Sequence, residues 1–402
     1  MNAAKVSFPN AAGVQLSARL ELPVDRHAHA FAVFAHCFTC GSGLTASRNI
    51  SRELNMVGIG VLRFDFTGLG DSEGDFVDTT FTTNISDLVA AGEWLAEHHL
   101  PPALLVGHSL GGAAVLCAAG QLPSVKAVVT VAAPFAPDHV SRHFAEQLDQ
   151  IAAEGEATVD IGGRPFQIAK QFVDDLGTHR LQDNIRDLDA SLLILHSPQD
   201  RTVSIDEAAK LYTAARHPKS FVSLDGADHL LSSNEDSHYV GQVIAGWSSR
   251  YLPQPEVTAL ESDHKVAVRL GQEGFTTEVM VRQHHLTADE PVKVGGNDFG
   301  PGPYELVSAG LGACTAMTIQ MYARRKGWVV EEVQVHLNHK KDYAADMQAS
   351  DQRPTKIDHF ERVVVLKGDL SEKQKARLLQ IADRCPVHRT LHETVTVTTV
   401  LG

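Results

Sequence analysis

Short apolar runs alternate with helix-length segments through residues 1–250, and this alternation limits the possible folds more than any other feature of the chain. The apolar runs lie at residues 31–35, 60–64, 103–107, 127–131 and 192–195. Each run is nearly continuous in apolar residues, as strands covered on both faces are. Helix-length segments, such as 84–97 and 111–121, lie between several of them. The pattern predicts an α/β fold with a mostly parallel sheet and helices on both faces.

The chain has 402 residues, which is long enough for more than one domain. Its 43% apolar and 21% charged residues are typical of a globular protein. Residues 1–252 are predicted to form the α/β domain. Within it, the segment 134–189 interrupts the alternation and carries four phenylalanines, so we interpret it as a short cap insertion over the site. A linker is predicted at 253–259, because Pro253 and Pro255 stop a helix and favour extended chain.

Strands and helices segregate after the linker, which predicts an α+β domain over residues 260–402. Period-two patterns predict strands, at 266–270, 277–281, 333–337 and 393–400. An apolar segment of helix length covers 303–325. Another helix is expected to begin at Ser371, where Gln374 is placed for a capping box. The polar segment 343–355 is interpreted as a mobile loop.

The formal net charge of −14 argues against a nucleic-acid partner, because phosphate contacts need clustered Lys and Arg. No signal peptide is expected, since the first residues lack a basic start followed by an apolar core. The apolar stretch 103–120 contains His108, Ser109 and several glycines, which argues against a membrane span. Five cysteines form no scaffold pattern, so thiols in a reducing, cytoplasmic compartment are expected. No metal or organic cofactor is expected, because the histidines show no ligand spacing.

The run Gly107-His108-Ser109-Leu110-Gly111 carries the strongest chemical signal, because it fits the Gly-x-Ser-x-Gly pattern of a nucleophile elbow. An apolar strand precedes the motif and a helix follows it, which is the context that the motif requires. A sharp turn of this kind exposes the serine hydroxyl, and small residues beside it avoid clashes. A glycine-rich turn with an incidental serine is the alternative, and the flanking elements favour Ser109 as a nucleophile.

A serine hydroxyl is a weak nucleophile until a base takes its proton, and the expected chain order is serine, acid, histidine. Asp200 follows the apolar strand 191–196, and His229 follows the strand 221–224. Both therefore fall on loops at the carboxyl ends of strands, where such sheets keep their chemistry. The sequence predicts a catalytic triad of Ser109, Asp200 and His229.

Three other residues compete for these roles. Asp225 and Asp228 are rival acids, but both are too near His229 in sequence to lie on its far side. His108 is a rival base, but it flanks the serine, so its side chain should point away.

The tetrahedral intermediate of acyl transfer needs backbone N–H donors. We expect one from Leu110, directly after the nucleophile, and one from Phe38, in the loop after an early strand. Cys37 and Cys40 flank this position in a Cys-x-x-Cys spacing. A redox disulfide there would distort the loop, and we favour two small packed residues instead. A zinc site is less favoured still, because no second pair exists.

At these motifs residues 5–250 resemble the α/β-hydrolase family, which includes esterases, lipases, thioesterases, amidases and acyltransferases. The resemblance implies a serine hydrolase, and we predict hydrolysis of small or short-chain carboxylic esters through an acyl-enzyme. Family members usually show His-Gly where this chain has His36-Cys37, a departure that bears on the oxyanion donor. The run 63–72 resembles the family's loop after the next strand, and we interpret it as structural, with Asp65 bonding nearby backbone.

Two further cysteines stand in distinctive surroundings in the second domain. Cys314 lies in an apolar helix with small neighbours that would let another element approach closely. Pro386 suits the first turn of a helix, which places Cys385 near the positive helix end, beside basic residues. Such surroundings favour a reactive thiolate, whereas a lone cysteine is more often simply buried.

At these residues the region 260–402 resembles the OsmC/Ohr family, named for osmotically inducible protein C and organic hydroperoxide resistance. The resemblance implies an intertwined homodimer and a two-cysteine peroxidase, with Cys314 peroxidatic and Cys385 resolving. The peroxidase members carry a glutamate one position before Glu305, where this chain has Tyr304. Arg282 is the candidate counterpart of the family's peroxide-binding arginine.

Three functions therefore compete. The first is a serine esterase acting on a small-molecule ester, with an attached dimerising domain. The second is a thiol-dependent organic hydroperoxide peroxidase with an accessory hydrolase domain. The third is a binding protein with inactive sites. The complete serine, acid and histidine order favours the first.

Overall fold

The computed structural model describes residues 3–23, 28–161, 163–253, 260, 262–272, 274–343 and 356–401. The chain divides into two compact units, Met1–Glu261 and Ser262–Gly402. Most of the linker predicted at 253–259 and most of the loop predicted at 343–355 lie outside the described residues.

An eight-stranded sheet forms the centre of the first unit. Its strands are β1 (Ala3–Pro9), β2 (Gln15–Glu21), β3 (Ala30–Ala35), β4 (Ile59–Phe64), β5 (Leu104–His108), β6 (Ala127–Val131), β9 (Ser191–His196) and β10 (Lys219–Ser223). Their order in the sheet is β1-β2-β4-β3-β5-β6-β9-β10. The six strands from β4 to β10 run parallel, and β1 and β2 add an antiparallel edge. The predicted mainly parallel sheet is confirmed, while the two edge strands were not predicted because their residues are more polar.

Helices cover both faces of the sheet, which leaves β3, β4, β5, β6 and β9 entirely buried. The helices outside the cap are α1 (Thr45–Met56), α2 (Phe81–His98), α3 (Leu110–Ala118), α7 (Ile205–Ala214) and α8 (Asn234–Ser248). One apolar cluster lies on each face of the sheet. Because the central strands contact a cluster on both sides, their sequences show continuous apolar runs rather than alternation.

The insertion between β6 and β9 forms a small substructure of its own. It contains a 3-10 helix (Pro137–Gln147), α4 (Leu148–Glu154), an antiparallel hairpin of β7 (Glu156–Ile161) and β8 (Arg164–Ala169), α5 (Lys170–Leu176) and α6 (Leu181–Arg186). Phe144 and Phe172 are buried and join the apolar cluster of the main unit. The insertion is therefore packed onto the sheet domain through its aromatic side chains.

The second unit combines two small antiparallel sheets with a long helix. Its elements are β11 (Val266–Leu270), β12 (Thr277–Val281), β13 (His284–Ala288), α9 (Pro303–Lys326), β14 (Glu332–Tyr343), β15 (Lys356–Lys367), α10 (Glu372–Ala382) and α11 (Pro386–His392). The order β11-β12-β13 makes one sheet, and β14 pairs with β15 in the other. A core that includes Ile319, Ala323 and Leu378 joins α9 to α10. The Ser371 and Gln374 capping box forms as predicted.

The strand predicted at 393–400 is wrong. The chain is helical until His392, and residues 393–401 belong to no sheet within the described part of the unit. Val397 and Val400 are each 83% exposed. A period-two pattern becomes a strand only where a neighbouring edge supplies hydrogen bonds. Strands β13 and β15 were not predicted, because their polar and charged residues hide the alternation.

Helix α9 is long and apolar enough to cross a membrane by length and composition alone, a test that core helices also pass. Only 28% of its apolar window is buried within the unit. Met317 and Met321 are 65% and 71% exposed. The helix therefore presents an uncovered apolar face.

Candidate active site

Ser109 lies on a sharp turn between β5 and α3. Its backbone adopts φ 54° and ψ −123°, a conformation that residues with side chains rarely take. The turn is held because the Ser109 N–H donates to the carbonyl of Val131 on β6, at 2.8 Å. The hydroxyl is thereby presented at the carboxyl end of the sheet.

The two glycines of the motif allow this turn, because a methyl group at either of them would meet neighbouring atoms. An added Cβ at Gly107 would lie 2.3 Å from the carbonyl oxygen of Gly111. At Gly111 it would lie 2.5 Å from the carbonyl oxygens of Ala35 and His36, so α3 packs directly on the end of β3. The glycines of the motif thus let strand and helix approach closely.

The side chains of Ser109, His229 and Asp200 form a continuous chain of hydrogen bonds. His229 Nε2 lies 3.0 Å from the Ser109 hydroxyl, and His229 Nδ1 lies 2.7 Å from Asp200 Oδ2. Asp200 lies on the loop after β9 and His229 on the loop after β10, so the sheet brings together residues 120 positions apart. The imidazole is placed to take a proton from the hydroxyl while the carboxylate orients it.

Asp200 is held by the backbone as well as by the histidine. Its Oδ1 accepts the N–H groups of Thr202, at 2.8 Å, and Val203, at 3.0 Å. Burial alone would raise the pKa of Asp200. The hydrogen bond and charge of His229, together with these N–H donors, outweigh burial and hold the pKa below its usual value. The carboxyl group is therefore ionised and fixed in orientation.

The rival acids bond elsewhere. Asp225 accepts the hydroxyl of Ser223 at 2.7 Å. Asp228 accepts the backbone N–H groups of Leu230 and Ser232, which shapes the turn after His229.

His108 contacts the backbone of the histidine loop. Its Nε2 lies 2.7 Å from the carbonyl oxygen of His229, to which it must donate. Burial, reinforced by the neighbouring His229, lowers the pKa of His108 to about 4. The ring is therefore neutral at pH 7 and holds the loop that carries His229.

Cys37 and Cys40 form a disulfide, so the interpretation of two unlinked packed residues is wrong. The intervening chain turns tightly, because Thr39 adopts φ 58° and the Cys40 N–H donates to the Cys37 carbonyl at 3.2 Å. This turn brings the two side chains together without disrupting the loop. The other cysteines, Cys117, Cys314 and Cys385, are free thiols.

The loop that carries Phe38 is fixed by several side chains. Asp65 accepts the Ser42 N–H at 2.5 Å and the Asp71 N–H at 3.1 Å, which places it in the structural role predicted for it. Arg164, from the cap hairpin, donates to the Thr39 carbonyl at 2.6 Å.

Aromatic packing adds to these bonds. The ring of Phe38 packs against Phe172 at 5.5 Å, Phe76 at 5.7 Å and Phe144 at 6.5 Å between centroids. Two of these three partners, Phe144 and Phe172, belong to the cap insertion. The cap insertion therefore packs directly against the loop that carries Phe38.

An open cleft of about 580 Å³ lies beside Ser109. Its wall contains Ser109 and His229, both cysteines of the disulfide, and Phe38. Leu110 and Phe38 also line a second, much smaller cavity of about 10 Å³. The two residues predicted to supply the oxyanion donors thus line one common cavity.

Sequence reasoning missed the two basic side chains that the cap insertion contributes to this cleft, His143 and Arg164. Burial and the nearby His229 lower the pKa of His143. Neither residue lies in a motif, and only the hairpin that carries Arg164 brings it to the Thr39 carbonyl. Nothing local in the sequence could have indicated this contact.

The cysteines of the second unit lie in different environments. Cys314 is partly exposed on α9, whereas Cys385 is fully buried at the start of α11. The Cys385 sulfur accepts the His388 N–H at 3.3 Å and lies 3.7 Å from the Thr315 hydroxyl. Because Thr315 follows Cys314 in α9, Cys385 lies against the part of α9 that carries Cys314.

The arginine that reaches this cluster is Arg362, on β15. It donates to the Thr315 hydroxyl at 2.8 Å and forms an ion pair with Asp383 at 2.7 Å. Arg282, suggested from the sequence, lies at the turn after β12 with φ 55°. Glu305 accepts the Gly302 N–H at 2.8 Å and caps α9.

Comparison with known families matches both units. The Alpha/beta hydrolase family matches residues 32–243, and the OsmC-like protein family matches residues 295–400. No group of three His, Cys, Asp or Glu side chains in the described ranges could hold a metal ion.

Among solved structures, the chain is 51% identical to the esterase domain from a Rhodothermus marinus protein, with a TM-score of 0.53, covering 62% of this chain and 99% of that one. It is 30% identical to Protein ABHD12B of Homo sapiens, over 44% of this chain and 48% of that protein. It is 26% identical to the mitochondrial palmitoyl-protein thioesterase ABHD10 of Mus musculus, over 45% of this chain and 63% of that protein. The chain therefore spans about half to two thirds of the curated relatives it matches.

Proposed function

Because the chain belongs to the alpha/beta hydrolase family and carries an OsmC-like domain, we propose that it hydrolyses small or short-chain carboxylic esters through a serine acyl-enzyme. The observation that carries the proposal is the unbroken hydrogen-bonded chain from the Ser109 hydroxyl through His229 to Asp200. The 51% identity to an esterase domain supports the choice of ester over other acyl substrates.

In the proposed reaction His229 Nε2 takes the hydroxyl proton while Ser109 attacks the ester carbonyl carbon. The positive imidazolium is stabilised by Asp200, which accepts from Nδ1. The carbonyl oxygen becomes negative and is stabilised by the N–H groups of Leu110 and Phe38. His229 then returns the proton to the leaving alcohol, and water releases the acyl group by the same steps.

The first test is the nucleophile. Ser109→Ala should abolish hydrolysis of a short-chain aryl ester and labelling by a fluorophosphonate probe. Ser124→Ala is the control, because the Ser124 hydroxyl donates to the Pro102 carbonyl, at the end of β5 opposite to the Ser109 turn. Hydrolysis that survives in Ser109→Ala would reject the proposal.

The second test separates the acids. Asp200→Asn should lower kcat by about 10³- to 10⁴-fold, because the amide no longer stabilises the imidazolium. Asp228→Asn should change kcat by no more than a few-fold, since that side chain only accepts backbone N–H groups. Equal losses in both variants would contradict the assignment.

A thioester is the alternative substrate for the same site, because one curated relative is a palmitoyl-protein thioesterase. The comparison of kcat/KM for matched oxygen esters and thioesters across acyl lengths decides between them. The cleft of about 580 Å³ admits either class.

The second candidate function is a thiol peroxidase, and the match of residues 295–400 to the OsmC-like family favours it. Cys314 would react with the organic hydroperoxide and Cys385 would resolve the sulfenic acid as a disulfide. The Thr315 hydroxyl lies 3.7 Å from the Cys385 sulfur and accepts from Arg362, so this pair would orient the thiol. Peroxide consumption with a dithiol reductant should be lost in Cys314→Ser and unaffected in Cys117→Ser.

We also infer a homodimer formed through the second unit. The exposed face of α9 and the exposed Val266, Val268 and Leu270 of β11 support it, because isolated domains rarely leave so much apolar surface uncovered. Analytical ultracentrifugation of wild type and Met321→Lys tests the inference. A cytoplasmic location stays a prediction of the sequence.

A further inference from the structure

The loop after β3 is anchored firmly at both ends. At its start, the His36 ring donates through Nδ1 to the Cys37 carbonyl at 2.9 Å and accepts the Phe66 N–H through Nε2. At its far end, Ser42 is held by Asp65 through its N–H and by Arg63 through its carbonyl. Among these anchors, the His36 bond reaches only the first of residues 37–40, at the Cys37 carbonyl, and the others act at Phe66 and Ser42.

Residues 37–40 are held together by a covalent bond as well as by hydrogen bonds and packing. The disulfide between Cys37 and Cys40 is their covalent link, and Phe38 and Thr39 lie inside the ring it closes. Thr39 holds φ 58°, a region that residues with side chains avoid, so this turn depends on its neighbours. The non-covalent support includes the Cys40 N–H bond to the Cys37 carbonyl, the Arg164 bond to the Thr39 carbonyl and the packing of the Phe38 ring.

The disulfide is also accessible from the cleft. Both cysteines line the cleft beside Ser109 and His229. Cys37 is only 4% exposed, whereas Cys40 is partly exposed. A small dithiol entering the cleft therefore meets the sulfur of Cys40 first.

We propose that the Cys37–Cys40 disulfide is a reducible modification site that controls turnover at Ser109, the oxidised form being the more active. The inference rests on the proposed esterase function. With the bond intact, the turn holds the Phe38 N–H beside the nucleophile. With the bond open, Thr39 relaxes toward ordinary backbone angles, and the donor is positioned less often.

The chemistry requires a dithiol as the reductant. One thiolate of the dithiol attacks the Cys40 sulfur, the disulfide bond breaks, and Cys37 leaves as a thiolate that takes a proton. The second thiol of the reductant then attacks the mixed disulfide and releases Cys40, which also takes a proton. The protein gains two electrons and two protons, and the dithiol becomes a cyclic disulfide.

The size of the effect follows from what remains after reduction. Complete loss of one oxyanion donor typically lowers turnover by roughly 10²–10³-fold. Arg164 and the Phe38 packing still restrain the reduced loop, so we expect a smaller fall in kcat, of about 10-fold. The KM should change less than kcat, because the donor stabilises charge that develops in the transition state.

The experiment compares oxidised and reduced forms of the full-length protein. Wild type is treated with dithiothreitol, desalted without oxygen, and assayed on a short-chain aryl ester. Mass spectrometry after alkylation of a parallel sample reports whether the Cys37–Cys40 bond is open. Circular dichroism confirms that the reduced protein remains folded.

Cys40→Ser is the diagnostic variant and Cys117→Ser the matched control. We expect the first to have the low kcat of reduced wild type and no response to dithiothreitol. We expect Cys117→Ser to respond like wild type, since burial raises the pKa of the Cys117 thiol to about 12 and keeps it unreactive. An unchanged kcat when the bond is open, or a response in Cys40→Ser, overturns the proposal. Absence of Ser109-dependent hydrolysis in the oxidised protein instead rejects the esterase function, and this inference with it.

Discussion

The neutral ring of His108 should make the stability of the hydrolase unit depend on pH. In the folded protein burial lowers the pKa of His108 to about 4, whereas an unfolded histidine titrates near its ordinary value of 6.5. Between these values the unfolded chain binds a proton that the folded protein does not. The neutral His108 ring therefore stabilises the folded protein in full above pH 6.5. This stabilisation decreases as the pH falls below 6.5 and is lost as the pH passes through 4.

The magnitude follows from the two pKa values. A difference of roughly 2.5 units corresponds to about 3 kcal/mol in full. At pH 5.5 the same linkage removes about 1 kcal/mol of unfolding free energy relative to pH 7.5. With a urea dependence of about 2–3 kcal/mol per molar, the unfolding midpoint should fall by about 0.5 M.

The perturbation is His108→Gln, whose amide can still donate to the His229 carbonyl but does not titrate. Wild type and variant are unfolded in urea at pH 7.5 and 5.5, in a Trp328→Phe background so that fluorescence reports only Trp94 and Trp247 of the hydrolase unit. Other buried histidines, such as His36, are present in both proteins, so their effects on the two midpoints cancel in the comparison. The midpoint of wild type should fall by about 0.5 M more than that of the variant. Equal falls would refute the reasoning.

Arg63→Met should cost about 3–5 kcal/mol of unfolding free energy in urea, because it leaves the buried Glu21 carboxylate without its partner, and Arg63→Met/Glu21→Gln should recover part of the loss. Arg164→Ala should lower kcat for ester hydrolysis by about 3- to 10-fold with a smaller change in KM, and Arg164→Lys should restore part of it; a change confined to KM would indicate substrate contact instead. Gly111→Ala should reduce thermal stability by about 5 °C or more, because its Cβ would lie 2.5 Å from two carbonyl oxygens, whereas Gly120→Ala, with no atom within 4 Å of an added Cβ, should be close to wild type in the same melting experiment.

The parts of the fold that the sequence predicts are those with dense local signals. The central strands are continuous apolar runs because both faces are covered, so the parallel sheet could be inferred without coordinates. The distances within the Ser109, Asp200 and His229 cluster agree with the predicted order, since each residue follows a recognisable strand. The wrong strand at 393–400 shows the limit of periodicity, which indicates a preference for extended chain but not a partner for it.

Long-range contacts account for the rest. Whether Cys37 and Cys40 bond depends on the backbone at Thr39, and a Cys-x-x-Cys spacing is compatible with both states. Arg164 and Arg362 act through a backbone carbonyl and a threonine hydroxyl far away in the chain. Neither partner is marked by composition or spacing, so only the folded chain reveals these two arginines.

The insertion between β6 and β9 contributes none of the three hydrogen-bonded residues Ser109, Asp200 and His229. Evolution or protein engineering could therefore replace this segment and change which molecules enter the cleft, while the three hydrogen-bonded side chains keep their geometry. The exchange has one condition. Any replacement must bring its own donor to the Thr39 carbonyl and its own rings to Phe38, so selectivity and catalytic efficiency would evolve together.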